Sequence, residues 1–485
     1  MTVAAIPVAF GVIADRTTKQ LDERTLWGGS PARVMRLSES GVAAWRELSA
    51  SGVGSNASGV LARRLTDAGL VHPRPPEPDR DLDVTVVIPV RDRVDALQRC
   101  LRALGPSHRV IIVDDGSDDG EAVAHVAHHH GATVVRRARN GGPAAARNSG
   151  LTAVGTDFVA FLDSDCVAPP DWIAGLAAHF ADPLVAAVAP RVMALAEGPS
   201  RLERYSARFG SLDLGTREAR VAPGTRIAYV PTAAVVIRRA ALEQVATDGA
   251  AFDPALRVGE DVDLMWRLHS AGWRVRYDPS VLVRHAEPTT WPALLARRYR
   301  YGTSAGALAV RHPESIAPVV LSSLPTVAVA GLLARKPLLA AAAFGASVVT
   351  TARALRAADL PTAGVVPACG RAVGETWLGI GRYACQFAAP VLIAGLARGG
   401  PRRWGTRAAL ASLLLAPALS PSHASGSVDA PTRVVGRLLD DVAYGAGVWA
   451  GCVRARNAVP LRPDVRLRPF RAPRRTSAVS EGSRP

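Results

Sequence analysis

Three acidic groups in the sequence carry spacings that suit catalysis. In FVAFLDSDCVAPPDW (Phe158–Trp172) an apolar run ends in Asp163 and Asp165, separated by one serine. Two carboxylates at i and i+2 beside a strand end can hold one hard divalent cation, directly or through water. Mg2+ and Mn2+ both accept such oxygens and bridge the oxygens of a diphosphate. The same acids also suit helix capping, because Pro170 and Asp171 open the next helical stretch. In VGEDVDLMWRLHSAGWRVRYDP, Glu260 and Asp261 head an amphipathic helix over Asp263–Ala271 that Gly272 ends. Acid at that place either favours the helix dipole, by under about 1 kcal/mol at exposed sites, or serves as a general base aimed at an acceptor hydroxyl. VDDGS puts Asp114 and Asp115 in a tight turn, or in a group that hydrogen-bonds a nucleotide base or ribose. RNGGPAAARNSG (Arg139–Gly150) joins a Gly-Gly turn to a helix start whose backbone amides suit an anion, with the polar pair Arg147 and Asn148 behind it.

The elements that must position these groups alternate along the chain. VTVVIPV (Val84–Val90), RVIIVDDGS, ATVVRR and FVAFLDSD read as strands, with helices over Val94–Leu104, around Glu121–His129 and over Ala144–Thr152. Strands this apolar are covered on both faces, which predicts a mostly parallel sheet and an α/β fold. Ligands then sit beyond the carboxyl ends of the strands. Pro89-Val90-Arg91-Asp92, Asp114 to Ser117 and Asp163 to Asp165 all fall on that one rim.

At 485 residues the chain exceeds one ordinary core. The proline-rich, charged stretch PRPPEPDRDLD marks a boundary, and the sequence divides into 1–74, a linker over 75–83, 84–285 and 286–485. The first part predicts a hairpin around Gly28 and Gly29 followed by helices Glu39–Ser49 and Ser58–Ala68, a small winged-helix-like α+β module. Net charge is +16, but Met1–His285 carries 33 basic and 33 acidic side chains while Ala286 onward carries 25 and 9. A neutral front half argues against nucleic acid, which needs a clustered basic face. The basic, Ala-rich tail holds long uncharged runs, and Ser315–Ala334 comes nearest the roughly 20 residues of a spanning helix. Apolar helices with arginines at their ends fit the cytoplasmic face of a membrane; a soluble helical domain is the alternative. Five dispersed cysteines read as reduced thiols, no secretory leader is evident, and the His128–His130 run reads as surface.

Taken in order, VIPVRDR, VDDGS, RNGGPAAARNSG, DSD and GED with a following RL and G resemble family 2 of the inverting glycosyltransferases, which have the GT-A fold. The likeness covers about Val84–His285. It implies a UDP-sugar donor held by Pro89, Arg91, Asp114, Asp115, Arg147, Asn148 and Asp163. It further implies Asp165, with Asp163 beside it, as ligand of Mg2+ or Mn2+, and Asp261 as base with Glu260 adjacent. His285, after the strand VLVRH, stands where related enzymes place a histidine that contacts metal or diphosphate. RRYRYG (Arg297–Gly302) is similar to the QxxRW helix of chain-extending synthases, but Gln and Trp are missing, so processivity is not implied. LWGGSPARVMRLSESG, LARRLTDAGLVHPRP and LDDVAYGAGVWAG are similar to family members that build a glucose oligosaccharide from UDP-glucose on a peptide-derived small molecule, a redox cofactor precursor. The rival expectations are a membrane enzyme with a lipid-linked or cell-envelope acceptor, and a nonenzymatic peptide- or nucleic-acid-binding protein.

Overall fold

The computed structural model describes residues 4–77, 81–195, 198, 200–397, 404–420 and 427–466. Strand Val84–Val90 runs parallel to Phe158–Leu162 on one side and to Arg109–Asp114 on the other, with Thr133–Arg136 parallel at the far edge. Successive side chains of a strand point to opposite faces, and both faces here are covered. Val86, Ile88 and Val90 pack with Leu97, Cys100, Leu101 and Leu104 of helix Val94–Leu104. On the other face Val87, Val113 and Phe161 pack with Ala144 and Ala146 of helix Pro143–Leu151 and with Leu264, Met265 and Leu268 of helix Glu260–Ser270.

Beyond Phe158–Leu162 the antiparallel strand Ala234–Arg238 leads to the long parallel pair Val185–Leu195 and Arg274–Ala286. Cys166–Val167 pairs antiparallel with the end of Arg274–Ala286 and sets Cys166 opposite His285. Ala219–Val221 adds a short antiparallel partner. The longest ladders are parallel, and the architecture is the α/β, GT-A arrangement.

The N-terminal module has the expected hairpin, Thr25–Gly28 with Arg33–Arg36, and helices Glu39–Ser51 and Asn56–Asp67. It also has strands that the sequence reading lacks: Lys19–Asp22 joins the hairpin, and Gly11–Ala14 pairs with Val71–Arg74. Pro73 and Arg74 thus end a strand, and of the linker that follows, residues 78–80 lie outside the described residues. Arg63 docks the module through two 2.7 Å bonds to Asp182, both residues being buried.

The tail is helical: Trp291–Arg311, Ser323–Leu333, Pro337–Ala357, Val365–Ala397, Trp404–Leu419 and Ala430–Ala455. The run Ser315–Ala334 is not one helix. Val320–Ser322 pairs with Asp464–Arg466, and the helix that follows is only Ser323–Leu333. Pro318 explains the break, since the residue before a proline avoids helical backbone, and Pro325 is tolerated only because it falls in the first helical turn. Instead Pro337–Ala357 and Val365–Ala397 are long and apolar enough to cross a membrane, with 17% and 22% of their most apolar stretches buried inside the protein. Helices Trp291–Arg311 and Ala430–Ala455 touch through glycines: a Cβ at Gly302 would strike the Tyr444 carbonyl, and one at Gly306 the Gly451 carbonyl.

Candidate active site

Arg147 brings the two acidic motifs together. Helix Pro143–Leu151 carries it beneath the strand ends, where it is 3% exposed. Its Nη1 donates to Glu260 Oε1 at 2.7 Å and its Nη2 to Asp163 Oδ1 at 2.8 Å. Burial works against the guanidinium charge, but Asp163 and Glu260 outweigh it and raise the pKa. One planar cation therefore fixes DSD and GED relative to each other. Gly259 sets the entry to helix Glu260–Ser270 with a left-handed backbone, φ 87°, and a Cβ there would meet Ser304 of helix Trp291–Arg311 at 2.8 Å.

The three acids of GEDVD have different surroundings. Glu260 is bound to Arg147. Asp263 is buried between Arg267 Nε at 2.8 Å and His312 Nε2 at 2.9 Å, so it is structural. Asp261 accepts only from its neighbour Val262 N, at 2.8 Å, among the described residues. Burial in the cleft, with the Glu260 charge behind it, pushes its carboxyl up to about 7. A half-buried carboxylate with no cation on it, near neutrality in its titration, has the properties of a general base.

Asp165 and His285 face each other where strands Cys166–Val167 and Arg274–Ala286 pair. His285 Nε2 lies 3.4 Å from Asp165 Oδ1, and Arg93 forms an ion pair with the other oxygen. His285 Nδ1 stands 3.3 Å from Glu287 Oε1, and Arg297 pairs with Glu287 in turn. Burial lowers the His285 pKa against the pull of Asp165. A tautomer with its proton on Nδ1, toward Glu287, leaves Nε2 as an acceptor facing Asp165. In that tautomer the two acceptors suit a hard cation, with the Glu287 carboxylate behind the histidine as is usual at metal sites. Among the described residues no three ligating side chains converge as they stand, because Asp163 turns to Arg147. Two protein ligands are enough when a diphosphate supplies the remaining oxygens. The residues fit a divalent ion.

The other rim residues organise the loops. Asp114 is buried and binds Ser117 N at 2.8 Å and Arg136 Nη1 at 2.9 Å. Asp115 accepts from Gly141 N, Gly142 N and Arg137 Nε at 2.7–2.9 Å, which ties VDDGS to the Gly-Gly turn. Pro89 is half-buried in the strand end; Arg91 is exposed beside it, 3.1 Å from Asp92. Asn148 is placed elsewhere: its amide clasps the Phe252 backbone, donating to O at 2.7 Å and accepting from N at 3.0 Å. Sequence reasoning passed over Arg93 and Glu287, although Glu287 follows His285 by two residues, the spacing of alternate positions on one strand face.

Between the sheet rim and the tail lies a cleft of about 910 Å³. Arg147, Asp163, Glu260, Asp261 and His285 line one wall, and Tyr301, Gln386, Asp441 and Tyr444 of the tail helices line the other.

Residues 85–245 match the model of Glycosyl transferase family 2. The chain is 40% identical over 478 residues to the pre-mycofactocin glycosyltransferase of two Mycobacterium tuberculosis strains, covering 96% of this chain and 100% of that protein. It is 30% identical over 206 residues to the succinoglycan biosynthesis protein ExoU of Rhizobium meliloti, covering 40% of this chain and 59% of the relative. A solved mannosyltransferase from Pyrobaculum calidifontis aligns over 70% of this chain and 88% of its own, with 22% identity and a TM-score of 0.38. The chain belongs to glycosyl transferase family 2 and is a glycosyltransferase.

Proposed function

We propose that the protein transfers glucose from UDP-glucose to pre-mycofactocin, a ribosomal-peptide-derived redox cofactor precursor, with inversion at the anomeric carbon, and repeats the step to build an oligosaccharide. The observation that supports this acceptor is the 40% identity to the pre-mycofactocin glycosyltransferase, which runs through the N-terminal module and the tail as well as the transferase domain. Asp261 takes the proton of an acceptor hydroxyl as its oxygen attacks the anomeric carbon. The new bond to oxygen forms as the bond to the diphosphate breaks, and UDP leaves with the bonding electrons. Glu260 cannot serve as readily, because Arg147 holds its carboxylate. Arg147 in turn keeps Asp163 and Glu260 at a fixed separation, so the donor rim and the base share one frame. Asp165 and His285, with Asp163 beside them, would hold a Mg2+ or Mn2+ ion, which when bound would supply positive charge to the departing diphosphate. Pro89, Arg91, Asp114 and Asp115 form the rim over which the nucleotide lies. Two long apolar helices and a basic tail favour attachment to the cytoplasmic face of the membrane.

The test incubates the full chain with UDP-glucose, UDP-galactose or GDP-mannose and the peptide-derived acceptor, and reads product masses. Successive hexose additions from UDP-glucose are expected, with Asp165→Ala abolishing them in the presence of Mn2+. Transfer to a lipid-linked acceptor instead, or undiminished turnover by Asp165→Ala, overturns the acceptor or the metal assignment respectively.

A further inference from the structure

Across the cleft from Asp261, the tail supplies a wall that the transfer chemistry does not require. Asp441, on helix Ala430–Ala455, is 2% exposed. Its Oδ1 accepts from Gln386 Nε2 at 2.9 Å and Arg382 Nε at 3.2 Å, while Oδ2 is buried with no hydrogen-bond partner, in a residue that lines the cleft. A buried carboxylate oxygen with no donor is unfavourable, so the site is incomplete as it stands. Tyr229, Tyr301 and Tyr444 line the way from Asp261 to Asp441, and among the described residues none of their hydroxyls makes a hydrogen bond. Tyr229 and Tyr444 keep more than a third of their surface exposed, and phenols stay protonated at neutral pH, so all three are O–H donors.

This combination discriminates between ligand chemistries. A hydrocarbon chain would leave Asp441 unsatisfied, and a phosphate group would meet Asp440 and Asp441, whose cations are already paired. A sugar ring has hydroxyls that both donate and accept, and apolar C–H faces that lie against aromatic rings. We propose that this wall is a subsite for a sugar residue already carried by the acceptor, with Asp441 Oδ2 accepting a hydrogen bond from one of its hydroxyls. The inference rests on the reading that Asp261 deprotonates an acceptor hydroxyl in this cleft. It makes the tail a specificity element that favours glycosylated over bare acceptor, and so favours chain extension.

The probes are 4-nitrophenyl α- and β-glucoside, titrated calorimetrically into the full chain with UDP and Mn2+ and also used as acceptors with UDP-glucose. Asp441→Asn presents an amide N–H where the carboxylate oxygen stood. It is expected to weaken binding of the better glucoside and to raise its KM by about tenfold or more, with kcat changed less. Tyr444→Phe, which removes only a hydroxyl, is expected to weaken binding about threefold. Unchanged Kd and KM in both variants overturn the subsite, as does a wild-type chain that binds neither glucoside. Should Asp441→Asn melt early, Tyr444→Phe decides alone. If the wild-type chain transfers no sugar, the proposed function fails, while the titration still decides the subsite.

Discussion

Glu260 and Asp261 stand side by side at the head of one helix, yet Arg147 takes only the first. That asymmetry leaves Asp261 as the acid available to a substrate. Asp261→Asn is expected to keep UDP-sugar binding, measured by calorimetry, and to lose at least about a hundredfold in kcat, the usual scale for a general base. As the proposed base, Asp261 would act as its anion, and with its carboxyl pushed up to about 7, kcat/KM of the wild type should rise with pH through about 7 and level off above. The stability effect has the opposite sign. A carboxyl whose folded pKa lies above its ordinary value stabilises the fold while protonated and loses that contribution as pH rises from about 4 towards 7. Asp261→Asn should therefore melt above the wild type at pH 8, by the equivalent of about 1–2 kcal/mol allowing for its partial exposure. A wild-type pH profile that is flat or falls through neutrality would remove Asp261 as base. The acids themselves were legible from sequence as DSD and GED; which of them is free was not, because that depends on an arginine more than a hundred residues from Glu260.

At the scale of elements, the crossing of helices Trp291–Arg311 and Ala430–Ala455 determines whether the cleft has a second wall. Gly302 and Gly306 face Gly447 and Gly451 with backbones in contact, so no side chain fits between them. Gly447→Leu forces the helices apart, with a destabilisation of about 1–3 kcal/mol or more. Limited proteolysis should then cut the tail faster, and acceptor KM should rise more than donor KM, since the donor rim belongs to the sheet. Equal protease resistance and equal KM values would show that the crossing does not organise the cleft. The G-x-x-x-G spacing of each of these two helices was readable, but its pairing partner was not, since Gly302 and Gly447 lie more than a hundred residues apart. The helices Val94–Leu104 and Glu260–Ser270 were legible from apolar periodicity and their glycine stops. The strands Gly11–Ala14 and Lys19–Asp22 were not, because four-residue strands with exposed polar positions leave no alternation long enough to read.

Over the whole molecule, charge and exposed apolar surface coincide in the tail. Leu338, Val391, Trp404, Leu419 and Val453 are each at least 60% exposed, and the excess of basic over acidic residues lies in the same part of the chain. The full chain should therefore float with vesicles containing anionic lipid, and salt should weaken but not abolish this, because burial of apolar side chains is not screened. Binding to neutral and anionic vesicles alike in low salt would discard the electrostatic part; no flotation with either would discard membrane attachment. Sequence alone determined the order of motifs, the apolar strands that must lie inside a parallel sheet, and the basic tail, since each is a local pattern with a direct physical meaning. Tertiary structure decided the rest: that Arg147 joins DSD to GED, that Asn148 serves Phe252, and that Asp441 faces Asp261 across a cleft. Those relations depend on long-range packing of helices on a sheet, and no local pattern of residue types encodes a distance between segments hundreds of residues apart.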